Sequence, residues 1–233
     1  MAERSVVAVI GRGGAGKDVL ADLMTKAMRQ NTSAHISVYN AVRLRAAVDP
    51  GLRAKIAEVP KGQLYPDNIV KAGLGDSLQY HLGQPGLRTF YLTGGPRTDG
   101  QLQWLKKVLT RIKVQLLLVD VQVTPQVAAA RRQMRAQEWS AAGKQPRQED
   151  VDEGVAAVRE EEWLRYYSSI LTKAGELQVP VIQLDTSTFS PEQSCAALVK
   201  QLCQRQVLHH EHLVPHVFEV IHDRGKQHVL AAV

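Results

Sequence analysis

Apolar runs and helix-spaced stretches alternate along this chain. SVVAVIG (5–11) is a continuous apolar run with β-branched residues that ends in glycine, the pattern of a buried parallel strand. Residues 19–28 then place Leu20, Leu23, Met24 and Ala27 at helical spacing. The pattern continues with a strand over 34–38, a short helix over 41–48 and a break at Asp49-Pro50-Gly51. A helix over 67–80 is capped by Asp67 after Pro66, and a strand at 90–92 leads into the punctuated segment GGPRTDG. Residues 101–112 read as an amphipathic helix, and VQLLLVDV (114–121) is the clearest buried strand. Thr124-Pro125 opens a helix to Arg135, 136–148 read as a loop, and 149–174 as a long charged helix with room for one break. VPVIQLD (179–185) is a fifth strand, and a helix over 190–207 carries Pro191 in its first turn. Residues 208–233 have no clear period and hold six of the eight histidines.

Five apolar strands alternating with helices predict an α/β protein, a three-layer α/β/α sandwich around a five-stranded parallel sheet. Such sheets bind ligands at the carboxyl ends of their strands. The glycines after the first strand, the GGPRT segment after the third and Asp120 in the fourth all fall at that edge.

Composition narrows the class. A chain of 233 residues suits one domain of this kind, with a core resting on Leu, Val, Ile and Ala because aromatics are only 5%. The net charge of +6 suits nucleic acid or phosphorylated small molecules. No aromatic-rich basic motif is present, so nucleic acid is not expected. Two cysteines, Cys195 and Cys203, without a CxxC pair fit a reduced, cytoplasmic protein lacking a cysteine zinc site. The first apolar run is too short for a signal peptide and no run approaches a membrane span, so no membrane partner is expected.

Gly11 through Lys17, GRGGAGK, match G-x-x-x-x-G-K between a strand and a helix. Backbone N–H groups of such a loop cradle a polyphosphate, and the helix N-terminus adds a favourable field. Gly11, Gly13, Gly14, Ala15, Gly16, Lys17, Asp18 and Val19 are therefore the expected ATP-binding stretch, with Lys17 reaching the β- and γ-phosphates. The bland alternative is a glycine-rich turn with no ligand.

Further along, LTGGPRTDGQL (92–102) resembles the D-G-F-P-R-T-x-x-Q motif of the adenylate kinase family. Other segments resemble that family in order. HISVYNAVR (35–43) is similar to HIS-T-G-D-x-x-R, and KGQLYPDNIV (61–70) to G-x-L-V-x-D-E-I-V. VDVQVTPQVAAARRQMR (119–135) resembles the strand and helix that carry R-x-x-x-R, and PRQEDVDEGVAAVR (146–159) the G-R-x-D-D…E…R segment after the lid. The resemblance covers about 5–200. It implies a P-loop kinase domain over 1–204, with an acceptor-binding insertion at about 35–68, a short lid at about 136–147 and a His-rich extension over 205–233.

The implied chemistry is transfer of the γ-phosphate of ATP, with Mg²⁺, to AMP or a related (deoxy)nucleoside monophosphate. By resemblance, Arg97 holds the acceptor phosphate and Gln101 reads its base, with Ser37, Gly94 and Arg43 also on the acceptor side. A slipped register puts Arg45 in place of Arg43. Arg131 lies against the donor, Arg135 at the edge of the lid, and Arg147 and Arg159 close over the transfer, Arg159 through a one-residue insertion. A monomer is expected. Arginine suits these roles because its planar fork matches phosphate oxygens bidentately and the transferred group develops charge.

Some positions depart from the family pattern. Asp18 and Val19 follow the loop lysine where the family has glycine and threonine, and Thr93 replaces the aspartate at the end of the third strand. Gly95 replaces a phenylalanine, and Val38-Tyr39 a threonine and glycine near the acceptor base. The Lys-Asp pair resembles loops of some phage deoxynucleotide kinases and of animal phosphomevalonate kinase. Asp18 and Asp120 are the candidate metal-side carboxylates, although a negative charge at Asp18 also suits a helix N-terminus, by about 0.3–1 kcal/mol. A second expectation from these departures is a catalytically weakened nucleotide-binding module used in sensing or as a partner subunit. In the tail, HHEHLVPH (209–216) offers His209, His210, Glu211, His212 and His216, at no spacing that matches a closed metal site.

Overall fold

The structure, a computed structural model, describes residues 4–214. Five parallel strands, β1 (Arg4–Ile10), β2 (Ser33–Ser37), β3 (Thr89–Thr93), β4 (Val114–Gln122) and β5 (Val181–Asp185), form one sheet in the order β2-β3-β1-β4-β5. Helices cover both faces, as predicted. Alternate residues of each strand point to opposite faces. Val6, Ala8, Phe90, Leu92, Leu116 and Leu118 join one core, and Val7, Val9, Tyr91, Leu117 and Val119 the other.

The first core lies under α2 (Val38–Val48), α4 (Asp67–Gly83), α5 (Asp99–Arg111) and α8 (Glu153–Glu176). The second lies under α1 (Lys17–Ala27) and α9 (Pro191–Gln204). The chain runs from β1 outward to β2 and back to β3 on one side, then crosses to β4 and β5 on the other. That reversal opens a crevice at the carboxyl ends of the strands flanking β1.

Several boundaries differ from the sequence pattern, each for a local reason. Asp49-Pro50-Gly51 does not merely break the chain: it opens α3 (Pro50–Ala57), because the Asp49 carboxylate accepts the Leu52 N–H at 2.9 Å and Pro50 occupies the first turn. Helix α2 starts three residues earlier than predicted, capped by Ser37, whose hydroxyl accepts the Asn40 N–H. Helix α4 has Pro66 at its cap position with no side-chain cap, so Asp67 is not the cap expected of it. Helix α6 (Pro125–Ala141) runs six residues beyond Arg135 into the stretch read as a loop. The long charged stretch is broken once, at Asp152, into α7 (Gln148–Val151) and α8.

The described part of the expected C-terminal extension is tied to the core. A short 3₁₀ turn (His210–His212) precedes an antiparallel bridge between Met28 and Leu213, and Leu208 and Leu213 are buried. His216 lies outside the described residues. Among the described residues, no helix is long and apolar enough to cross a membrane.

Candidate active site

The loop between β1 and α1 is tight for steric reasons. Gly11 (φ +146°) and Gly14 (φ +86°) adopt conformations that side chains rarely take, and a Cβ on either would stand 2.5 Å from the Val121 carbonyl oxygen or 2.4 Å from that of Ala128. Ala15 is buried, Gly16 is the residue before α1, and Gly13 is exposed, its carbonyl accepting from Arg132 at 3.2 Å. Lys17 folds back into this loop: its Nζ donates to the Gly11 and Arg12 carbonyl oxygens, both at 2.7 Å. Burial, reinforced by the Arg97 guanidinium, lowers its pKa to about 7 despite Asp18 beside it.

A cavity opens over the loop. Lys17, Gly94, Gly95, Arg97, Arg159 and Trp163 are among its lining residues. Arg97 follows the cis Gly95–Pro96 peptide, and its Nε donates to the Gly94 carbonyl oxygen at 3.1 Å. Burial, then the field of Arg159, lowers its pKa to about 10, against the pull of Glu149 and Asp18. The fold thus brings two depressed cations, Lys17 and Arg97, to one cavity.

Asp18 sits at the start of α1. Burial pushes its carboxyl up, but hydrogen bonds from Thr93 and Arg147 outweigh burial and hold it below the ordinary carboxylate range. Thr93 in turn lies 2.8 Å from His35 Nε2, and His35 Nδ1 lies 2.7 Å from Asp22. A chain Asp22–His35–Thr93–Asp18 therefore backs the loop, and Thr93 supplies a hydroxyl while Val19, 50% exposed, has none to give. Asp120 stands differently: it is 1% exposed, and its Oδ2 accepts from Tyr167 at 2.7 Å and from Gln122 at 3.0 Å. Burial and that bond push the Tyr167 hydroxyl up to about 12.

The expected closing arginines all have carboxylate partners. Arg135 grips Asp150 through Nε at 2.7 Å and Nη2 at 2.5 Å, and this pairing outweighs burial to raise its pKa. Arg147 reaches Asp18 at 3.1 Å across the loop and stacks on Trp139, 5.6 Å from the ring centre. Arg159 lies 3.5 Å from Glu149, while its Nε is buried without a hydrogen-bond partner. Arg131 is directed to the end of β5 instead, donating to the Thr186 carbonyl oxygen at 2.6 Å and to its hydroxyl at 3.2 Å.

Of the residues expected on an acceptor side, Ser37 is the cap of α2. Arg45 is neutralised by Asp76 at 2.9 Å and Asp49 at 3.5 Å, whereas Arg43 lies against the Tyr39 ring and donates to its hydroxyl at 3.3 Å. The two arginines are thus unlike in charge balance. Gln101 is buried, its Oε1 accepting the Arg97 N–H at 2.8 Å and its Nε2 donating to Asp67 at 3.0 Å.

Some lining residues escaped the sequence reading. Arg12, 3.1 Å from Glu160, and Glu162 and Trp163 of α8 all face the cavity. The signal for Glu162 and Trp163 lies in their spacing from Arg159, since residues one turn on share a helix face. Leu64 also lines the cavity. Among the described residues, no group of three or more His, Cys, Asp or Glu could hold a metal ion by itself.

The site is thus a cleft at the carboxyl edge of a parallel sheet, with Arg12, Lys17, Arg97 and Arg159 in its lining. No family model matches the chain, and neither does any curated protein.

Proposed function

We propose that the protein is a P-loop kinase of the nucleoside monophosphate type, moving the γ-phosphate of ATP to a nucleoside monophosphate. The observation that carries this reading is the pair Lys17 and Arg97, half-buried in the lining of one cavity, each with its pKa lowered by burial and by surrounding guanidinium groups. Cations stored at such a cost to their charged forms are relieved by an anion of high charge, and a polyphosphate beside an acceptor phosphate is one.

In this reading the loop amides and Lys17 hold the donor phosphates. Arg97, with Arg43, holds the acceptor phosphate. An oxygen of that phosphate attacks the γ-phosphorus in line, the bond to the bridging oxygen breaks, and ADP leaves with that electron pair. Arg135, Arg147 and Arg159 exchange their carboxylate partners for phosphate oxygens as the lid closes, which spreads the developing charge and excludes water. Mg²⁺ tends to keep several waters and to bind through one or two carboxylates and substrate phosphates, so the single ionised carboxylate of Asp18 suits it. When bound with ATP, it supplies charge neutralisation on the β- and γ-phosphates. Asp120, bonded to Tyr167 and Gln122, serves to hold α8 against β4.

A coupled assay with ATP, Mg²⁺ and a panel of monophosphates tests the proposal. Turnover of at least one, lost in Lys17→Ala, supports it; tight ATP binding with no turnover of any points to the weakened module. The closed-up arginine pairs favour that second reading, since each clamp residue already has an internal counterion. Thr93→Asp separates the two. A new carboxylate there faces Asp18, so activity falls if the present arrangement works, and rises if the site is a degraded one.

A further inference from the structure

We infer that the acceptor site recognises the phosphate of its substrate and leaves the base unread, with Gln101 serving as a brace for the loop that carries Arg97. This rests on the kinase reading and narrows its acceptor class to phosphomonoesters taken with little regard to the base they carry.

The inference starts from hydrogen-bond accounting. Gln101 is 3% exposed. Its Oε1 holds the backbone N–H of Arg97 at 2.8 Å, four residues earlier, and its Nε2 is anchored on Asp67 Oδ1 at 3.0 Å. The orientation of the amide is locked, because a flip would turn Oε1 toward a carboxylate and Nε2 toward an N–H donor. Asp67 is itself held by the Thr98 hydroxyl at 2.9 Å, and Thr98 caps α5 by accepting the Gln101 N–H at 3.1 Å. The result is a closed ring of Asp67, Thr98 and Gln101 that ties α4 to the start of α5 and ends on the Arg97 peptide.

Gly95 and Val38 lie beside this ring. A Cβ on Gly95 would stand 3.7 Å from Gln101 Oε1 and 3.0 Å from Val38 Cγ2, so the amide and buried Val38 border the same spot. A base edge that engaged the amide would have to reach a side chain that is only 3% exposed. The cations, in contrast, have capacity left: Arg97 and Arg159 both line the cavity, and the Arg159 Nε is buried without a hydrogen-bond partner.

Binding to the full-length chain, measured by calorimetry at saturating ATP analogue, tests this with AMP, GMP, CMP, UMP and ribose 5-phosphate. The five are expected to bind within about fivefold of one another, since a site that does hydrogen-bond a substrate group separates ligands by far more. Gln101→Leu is expected to weaken all five by about tenfold while ATP-analogue affinity stays unchanged, as misplacement of a clamp arginine requires. Asp67→Asn, which keeps the shape and removes the charge that locks the amide, is expected to weaken all five in the same order. A spread above about tenfold that depends on the base overturns the inference, whether or not Gln101→Leu erases it. So does ATP-analogue binding with no binding of any of the five. Failure to bind the ATP analogue at all overturns the kinase reading itself.

Discussion

Lys17 states the electrostatic problem of the site at the scale of one residue. Its ammonium lies in the cavity with Arg97, and burial and the Arg97 field lower its pKa from the ordinary 10.5 to about 7. Phosphates favour its charged form, so bound ATP raises that pKa and binding takes up a proton above pH 7. Affinity is therefore expected to be flat below pH 7 as far as this group is concerned, and to fall toward tenfold per unit above it, because the charged fraction of the free lysine falls at that rate. Titrations in two buffers of different ionisation heat read the proton uptake directly; affinity independent of pH between 7 and 9 would contradict it. Asp18 and Thr93 answer the neighbouring question of the missing hydroxyl. Val19 brings none to the loop, and Thr93 delivers one to Asp18 from the end of β3. The glycines and Lys17 were legible as a motif, whereas this contact joins residues 75 positions apart and no local pattern encodes it.

At the scale of elements, an ion pair ties α6 to α7 beside the stretch at about 136–147 expected as a lid. Arg135 on α6 clamps Asp150 on α7 with both arms of its fork, and Asp150 is only 1% exposed at its side chain. Asp150→Ala leaves that guanidinium without its partner, and a loss of about 3 kcal/mol is expected from breaking a buried pair. A urea denaturation curve measures this, and a change under about 0.5 kcal/mol would assign the pair no more weight than an exposed one. Helix α3 shows why some elements stayed hidden. Asp49, Pro50 and Gly51 each favour a turn, yet Asp and Pro also begin helices, and only the environment decides between the two. Asp67 carries the same lesson: its position after Pro66 suggested a cap, but its carboxylate goes to Thr98 and Gln101 on another helix. Strands β1, β3 and β4 were legible because each is a short apolar run, as a sheet covered on both faces demands, whereas the edge strand β2 (SAHIS) buries only Ile36.

At the scale of the whole molecule, the order β2-β3-β1-β4-β5 sets the loops after β1 and β3 side by side. Strand order is long-range information, and the sequence pattern alone indicated only which end of the strands to inspect. The C-terminal segment shows the same limit. Residues 208–214 read as aperiodic, yet the Arg29 N–H donates to His212 and the Val214 N–H to Ala27, so the segment closes the free end of α1. Leu213→Ala is expected to cost about 2 kcal/mol, as a buried leucine does when its cavity partly collapses. A shift in the thermal midpoint measures it, and an unchanged midpoint would mean that the segment is not part of the cooperative fold. The central claim, that one cationic cleft receives two phosphate-bearing ligands end to end, is tested most directly by calorimetric titration with a bisubstrate mimic, two nucleosides joined by five phosphates. The account predicts binding at one to one, weakened about a hundredfold by either Lys17→Ala or Arg97→Ala, since each removes a charge-assisted contact to phosphate. Absence of binding, or binding that both substitutions leave intact, would contradict it.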